Sequence, residues 1–231
     1  MSIFRSLNVT CPACGKDFVM QAAESVNADR RPDLRDAILD GSFQVEACPH
    51  CGERFRLDPR LSYVDIARGQ WISVQPLEDV GDWVAGEDEA IAMFDKAYGS
   101  QAPASAREIG EALRLRLVYG WSALREKLVV AEHGLDDVTL ELMKLALIQG
   151  LDHAPLARGN ELRLETADPE SLELRWVKAE SDEVIERLRV PRSLYDGIVD
   201  DEAAWAALRQ STAEGPFVDM QKQYLGQGRQ A

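Results

Sequence analysis

The chain has 231 residues, of which 45% are hydrophobic, and it carries a formal net charge of −14. This length allows one or two domains, and because no run of about 18 apolar residues occurs, the sequence predicts no membrane-spanning helix. The acidity lies after residue 75: residues 1–75 hold 9 Lys and Arg against 10 Asp and Glu, and residues 76–231 hold 17 against 30. Such an acidic body opposes binding to the phosphates of nucleic acids.

Two copies of a C-P-x-C-G motif lie near the start of the chain, at residues 11–15 and 48–52. In each copy two thiolates are one turn apart, so they can reach the same ion, and two copies complete a four-cysteine shell. Proline presets the backbone entering the turn, and glycine tolerates the positive φ that lets backbone N–H groups point at sulfur. The motifs use every cysteine in the chain and predict these metal ligands: Cys11, Cys14, Cys48 and Cys51.

Zinc suits a shell of four thiolates best, and iron in the same shell is the alternative. A redox pair of the thioredoxin type would have one motif opening a helix, whereas alternating residues at 18–20 and 55–57 follow the two motifs and indicate hairpins. Structural disulfides would need an oxidising compartment, and residues 1–5 lack the regions of a signal peptide, so we expect a cytoplasmic protein. His50 lies between two ligands, and it is expected to face solvent because four thiolates already fill a tetrahedron.

The residues around the motifs predict a small sheet and one short helix. Residues 32–39 begin with proline and place apolar residues four apart, which indicates the helix. Residues 43–47 alternate as a strand that leads into the second motif, and residues 63–67 and 71–74 form a hairpin. Such a sheet has little apolar surface of its own, so the bound ion is expected to contribute much of its folding free energy.

After Pro76 the apolar period becomes helical. Residues 86–98 predict one helix. Residues 107–131 predict a longer one, although residues 113–117 alternate like a strand, because an apolar stripe continues over the whole length.

A further helix is predicted after Gly134, which ends the long one. Asp136 or Asp137 can cap its start, and Gly150 ends it. The two helices are expected to form a hairpin whose apolar stripes pack against the metal-bearing sheet.

The order of these features resembles the CpXC family of bacterial and archaeal proteins, which is named for two C-P-x-C motifs. The resemblance covers about residues 8–150 and rests on both motifs with their glycines, and on the stretches at 58–65, 124–128 and 132–137. It implies a metal-binding domain of a family without an assigned activity. It supplies no catalytic residues.

Residues 160–231 are expected to form a smaller module of strands and helices. Its polar strand residues are expected to face solvent: Arg163, Glu165, Glu173, Arg175, Glu186 and Arg189. The predicted elements are strands at 161–166, 171–177 and 184–190, helices at 193–199 and 202–210, and a final helix from Pro216 that includes Tyr224.

These features together predict an α+β fold: a zinc-ribbon-like small antiparallel sheet packed with a helical hairpin, followed by a smaller α+β C-terminal module. The CpXC zinc-binding domain is expected at residues 1–150, with the metal ribbon at 1–75 and the helical part at 76–150. The C-terminal module is expected at 160–231.

The sequence contains no recognisable catalytic constellation or phosphate loop, and the adjacent Asp136 and Asp137 are better explained as a helix cap than as an acid pair. A closed four-thiolate shell indicates a structural zinc ion, so we expect an interaction or adaptor module that binds another protein. One alternative is an enzyme with a non-metal site between the two domains. The other is a zinc ribbon that binds nucleic acid through arginines near the motifs: Arg30, Arg31, Arg35, Arg54, Arg56 and Arg60.

Overall fold

A computed structural model of the chain describes residues 2–151, 153–157, 159–223 and 225, and its mixture of helices and small sheets confirms the α+β class. The strands are β1 (Ile3–Thr10), β2 (Asp17–Asn27), β3 (Val45–Ala47), β4 (Arg54–Arg56), β5 (Leu61–Asp65), β6 (Gln70–Gln75), β7 (Arg114–Tyr119), β8 (Asn160–Ala167), β9 (Ser171–Lys178) and β10 (Val184–Pro191). The α-helices are α1 (Pro32–Asp40), α2 (Trp83–Tyr98), α3 (Ala104–Glu111), α4 (Gly120–Glu132), α5 (Asp137–Gly150), α6 (Ser193–Asp200) and α7 (Glu202–Ala213), and 3-10 turns cover Leu77–Asp82 and Met220–Gln223.

The largest sheet has five strands in the order β1-β2-β5-β6-β7. The pairs β1–β2 and β5–β6 are antiparallel, which confirms the predicted hairpin of β5 and β6, while β2–β5 and β6–β7 are parallel. The sheet is therefore mixed and larger than the sequence indicated. Buried side chains of the sheet, α1 and α4 form one apolar cluster, which includes Val26, Ile38, Tyr63, Ile72 and Leu124.

The helix predicted over residues 107–131 is wrong. α3 ends at Glu111, strand β7 follows, and helix resumes only at Gly120. β7 pairs in parallel with β6, so the alternation at 113–117 is that of a strand, and Leu117 on it is fully buried. Gly120 has a φ of 77°, which turns the chain sharply from strand into α4. The apolar spacing of four was shared by three elements, α3, β7 and α4, rather than produced by one helix.

The expected pair of consecutive helices is present as α4 and α5, although its first helix is shorter than predicted. Only α4 packs against the large sheet as expected, whereas α5 packs against α6 and α7. Gly134 lies between them with a φ of 62°. The Asp136 carboxylate accepts a hydrogen bond from the Thr139 N–H at 2.8 Å and caps α5, as predicted. Apolar residues of α4, α5, β8 and β9 share a second cluster, so buried contacts cross the predicted boundary at residue 150. The division into two domains stays a prediction.

The C-terminal strands and helices agree with the sequence prediction. β8, β9 and β10 form an antiparallel sheet in the order β10-β9-β8, followed by α6 and α7. The expected solvent face is correct for Glu186 and Arg189, which are exposed, but wrong for Arg163 and Arg175, which are buried. Residues 161–164 are all buried because β8 is covered on both faces, with α4 among its neighbours.

The helix predicted from Pro216 is wrong within the described residues, where only a short 3-10 turn forms. The Pro216 carbonyl accepts the Leu117 N–H at 2.9 Å, and the Phe217 N–H donates to Glu87 Oε1 at 2.9 Å. Because other elements take these backbone groups, residues 216–219 form no helix. Tyr224, which was assigned to this helix, lies outside the described residues.

Candidate metal centre

Both cysteine motifs form the turns of hairpins. The first motif connects β1 to β2 and the second connects β3 to β4, and both pairs of strands are antiparallel. The two turns have the same hydrogen bonds. In each, the first cysteine donates its N–H to the carbonyl oxygen five residues later, at 2.9 Å in the first turn and 2.8 Å in the second. Its own carbonyl oxygen accepts the N–H of the motif's glycine, again at 2.9 Å in the first turn and 2.8 Å in the second. Gly15 and Gly52 have φ values of 69° and 78°, as the motif predicted.

The two turns face each other and bring the four predicted cysteines together. The distance from Cys11 Sγ to Cys51 Sγ is 3.7 Å and that from Cys14 Sγ to Cys48 Sγ is 3.8 Å, and all four sulfurs lie within 4.8 Å of one another. A tetrahedral ion with metal–sulfur bonds of about 2.3 Å needs sulfurs about 3.8 Å apart, whereas a disulfide needs about 2.05 Å. The arrangement therefore fits a four-thiolate metal site, and its spacing does not distinguish zinc from iron.

The pKa values of Cys11 and Cys51 reflect how closely the sulfurs are packed. A hydrogen bond from the Cys14 backbone N–H is the main factor that lowers the pKa of Cys11 to about 7. The Glu53 backbone N–H lowers the pKa of Cys51, but desolvation and the neighbouring thiols of Cys14 and Cys11 outweigh it and raise that pKa to about 12. Four sulfurs this close repel one another as thiolates, and a divalent cation removes that conflict.

The site lies at the surface of the protein. Cys11 and Cys48 are buried, whereas Cys51 is exposed. His50 is exposed as expected, and its Nε2 lies 3.3 Å from the Asp17 carbonyl oxygen.

Two aromatic rings, one from each hairpin, contact each other near the cysteines. Phe18 and Phe55 each follow the second cysteine of a motif by four residues, and their ring centroids are 5.8 Å apart in an edge-to-face contact. The hairpins are thus linked by a small apolar contact and by the contact of His50 with Asp17, in addition to the metal site.

A second group of charged residues, which the sequence did not reveal, lies in the interior. Glu126 and Lys144 are fully buried with an ion pair of 2.7 Å, and Lys144 also contacts Glu141 at 2.9 Å. Arg163 contacts Glu126 at 3.0 Å and Asp219 at 2.6 Å. Burial raises the pKa of Glu141 to about 7 despite the nearby Lys144. Since these groups have almost no exposed surface, their arrangement indicates a structural role.

The sequence carried little signal for this buried network. Glu126 follows Leu124 by two in α4, and Arg163 lies between leucines in β8, where an outward face was the ordinary expectation. Asp137 was interpreted as part of a helix cap in preference to an acid pair, but it bonds to Arg116 at 2.6 Å and to Lys127 at 3.0 Å. Burial acts to raise the pKa of Asp137, and these two cations hold it well below its usual range.

Most of the arginines considered for nucleic-acid binding are engaged with carboxylates. Four of the six form ion pairs, at distances between 2.6 and 3.2 Å. Paired guanidinium groups contribute less to phosphate binding than free ones, so the geometry gives the nucleic-acid alternative little support. The four pairs are Arg31–Asp33, Arg35–Asp65, Arg56–Asp182 and Arg60–Asp79.

Among the described residues, no helix combines the length and the apolar content that crossing a membrane requires. Comparison with known proteins found one relationship. The family model described as "CpXC protein" matches residues 9–144, which is more than half of the chain and includes both cysteine motifs. No curated protein and no solved structure matches the chain. The chain therefore belongs to the CpXC family.

Proposed function

We propose that this CpXC protein is a protein-binding module whose four cysteines hold a structural zinc ion. The observation that carries the proposal is the cluster of four sulfurs within 4.8 Å of one another, because four thiolates complete the shell of a tetrahedral ion and would leave no ligand position for water. A catalytic zinc ion needs such an open position. Each pair of ligands closes a hairpin, so the ion ties β1–β2 to β3–β4 and fixes the surface that they present.

The exposed edge of the large sheet is the best candidate for that surface. β1 is the terminal strand of the sheet, and six of its eight residues are exposed, including Ile3 at 50%. Its one charged side chain, Arg5, is paired with Glu24 at 3.3 Å. Natural edge strands are usually protected by charges or proline, and β1 has little of either.

The opposite edge of the same sheet, formed by β7, is partly covered. There the N–H of Leu117 in β7 is bonded to the Pro216 carbonyl oxygen, so the C-terminal segment occupies part of that edge. We infer that an extended segment of another protein adds beside β1 as a further strand, with apolar side chains against Ile3 and the exposed Phe4 of the same strand. A reducing compartment such as the cytoplasm suits the four-cysteine site, since thiols are not oxidised to disulfides there.

The proposal is tested by capture from a lysate of the native host, with one variant at this edge and one elsewhere. Ile3→Lys adds a charge to β1, whereas Ile185→Lys is the matched control, because Ile185 is 40% exposed on β10, an edge strand of the other sheet. Proteins captured by the wild type should be retained by Ile185→Lys and lost with Ile3→Lys and with Cys14→Ser. A captured partner should also slow hydrogen exchange in β1. Retention of every partner by Ile3→Lys would contradict the proposal.

A further inference from the structure

A cavity of about 380 Å³ lies beside the large sheet, between the turn before β6, the start of β7 and the end of α4. Its size is within the range of small-molecule sites, about 300–1,000 Å³. The chain carries a net charge of −14, yet this cavity is lined by four cationic side chains and one carboxylate, that of Asp137. The four cations are Arg68, Arg114, Arg116 and Lys127.

Asp137 neutralises the inner part of the cavity. Its Oδ2 accepts from Arg116 Nε at 2.6 Å and from Lys127 Nζ at 3.0 Å, and its Oδ1 accepts from Arg116 Nη2 at 2.9 Å. Arg116 and Lys127 together carry one positive charge more than this carboxylate. Lys127 Nζ also lies 4.0 Å from Glu141 Oε1, which Lys144 holds more closely at 2.9 Å.

Arg68 has only a weak ion pair. Its Nε is 3.9 Å from Asp65 Oδ2, and that oxygen is held more closely by Arg35, at 3.1 Å. Arg68 Nη1 is buried and lacks a hydrogen-bond acceptor among the described residues.

Arg114 is the outermost of the four cations, with 59% of its side chain exposed. It contacts Asp136 at 3.4 Å, and Asp136 also contacts Arg209 at 3.4 Å. The four cations of the cavity thus contact four carboxylates, those of Asp65, Asp136, Asp137 and Glu141, and all but Asp137 also contact cations outside the cavity. The cavity keeps an excess of positive charge that suits an anion.

Gln70 requires a hydrogen-bond donor from a ligand, whereas the cations require an acceptor. Its Nε2 donates to the Lys127 carbonyl oxygen at 2.9 Å, which fixes the orientation of the amide. Its Oε1 is buried, and no donor reaches it among the described residues. A ligand that satisfies both Arg68 and Gln70 must carry negative oxygens and also a hydrogen-bond donor.

We propose that this cavity binds a small phosphate compound that carries an O–H group, either inorganic phosphate or a hydroxylated phosphate ester. Phosphate oxygens accept from the arginines, and the O–H group donates to Gln70 Oε1. The apolar side chains of Ile72, Val130 and Leu135 also line the cavity and would contact the organic part of an ester.

Sulfate is the decisive comparison, because it has a similar charge and shape but no hydrogen to donate near neutral pH. Calorimetric titration of the metal-loaded full chain at low salt should give a phosphate affinity at least about tenfold above that for sulfate. Tighter binding of glycerol 3-phosphate than of phosphate would assign the ester, and the reverse order would assign the free ion. Equal binding of phosphate and sulfate, or no binding of any of the three, would overturn the proposal.

Two variants locate the site. Arg114→Gln should weaken the binding of both ions about fivefold without affecting folding, because the side chain is mostly exposed. The matched control is Arg189→Gln, which removes an arginine with 64% exposure and an ion pair of the same 3.4 Å length in β10, and it should leave both affinities unchanged. Gln70→Met should lower the phosphate affinity to the level of sulfate. An unchanged affinity in Arg114→Gln, or a preference for phosphate that survives Gln70→Met, would place the binding elsewhere and overturn the proposal.

Discussion

At the scale of single residues, the metal site and the buried network show opposite degrees of predictability. Cysteine, proline and glycine each constrain the backbone or the chemistry in a specific way, so the sequence predicted hairpin turns with positive φ at Gly15 and Gly52. It also predicted that four distant cysteines would meet, and the structure brings them together. Charged residues carry no comparable signal. A glutamate in a helix is ordinarily exposed, so the burial of Glu126 depends on partners that only the tertiary fold supplies.

The buried network leads to a prediction about Lys144. Lys144→Met leaves Glu126 and Glu141 buried without their cation, and we expect a loss of about 3–5 kcal/mol in the free energy of unfolding. The matched control is Lys178→Met, because Lys178 has the same 2.7 Å ion pair, with Glu183, but both side chains are more than half exposed. That control should cost about 1 kcal/mol or less. Urea unfolding measures both values, and similar losses would show that burial does not decide the strength of these pairs.

At the scale of elements, local patterns were reliable where all residues of a pattern belonged to a single helix or strand. α1 begins at Pro32 and ends before Gly41, which has a φ of 82°, and both features were visible in the sequence. The strands of the C-terminal sheet followed from their alternation. The pattern failed at 107–131, where a helical spacing spanned two helices and the strand between them, and after Pro216, where tertiary hydrogen bonds replaced helical ones.

The short hairpins lead to a prediction about metal removal. β3 and β4 have three residues each, so the free energy that keeps them paired must come largely from the ion and from contacts to neighbouring elements. Treating the protein with a chelator should speed hydrogen exchange of the amides in β3, β4 and the turns that hold the cysteines by at least about tenfold. The amides of β8 and β9, which belong to a large apolar cluster, are the internal control and should change little. Equal protection of the hairpins with and without the chelator would contradict this prediction.

At the scale of the whole molecule, the metal site and the largest cores lie in different places. The cysteines are at the surface end of two hairpins, whereas one apolar cluster lies between the large sheet, α1 and α4, and another joins α4 and α5 to the C-terminal sheet. An ion at such a position organises a surface more than it supports the interior. The class of fold followed from the order of patterns in the sequence. The parallel strand pairs did not, because they join residues far apart in the chain.

The central claim is that one structural zinc ion occupies the four-cysteine site. The most direct measurement is the metal content of the protein purified without added metal, compared with that of one variant in each cysteine motif. The wild type should contain about one zinc ion per chain, and Cys14→Ser should lose the metal and become sensitive to proteolysis in the hairpins. His50→Ala is the control and should keep the zinc, since His50 is exposed and lies outside the sulfur cluster. A wild-type protein that is fully folded and free of metal would contradict the account.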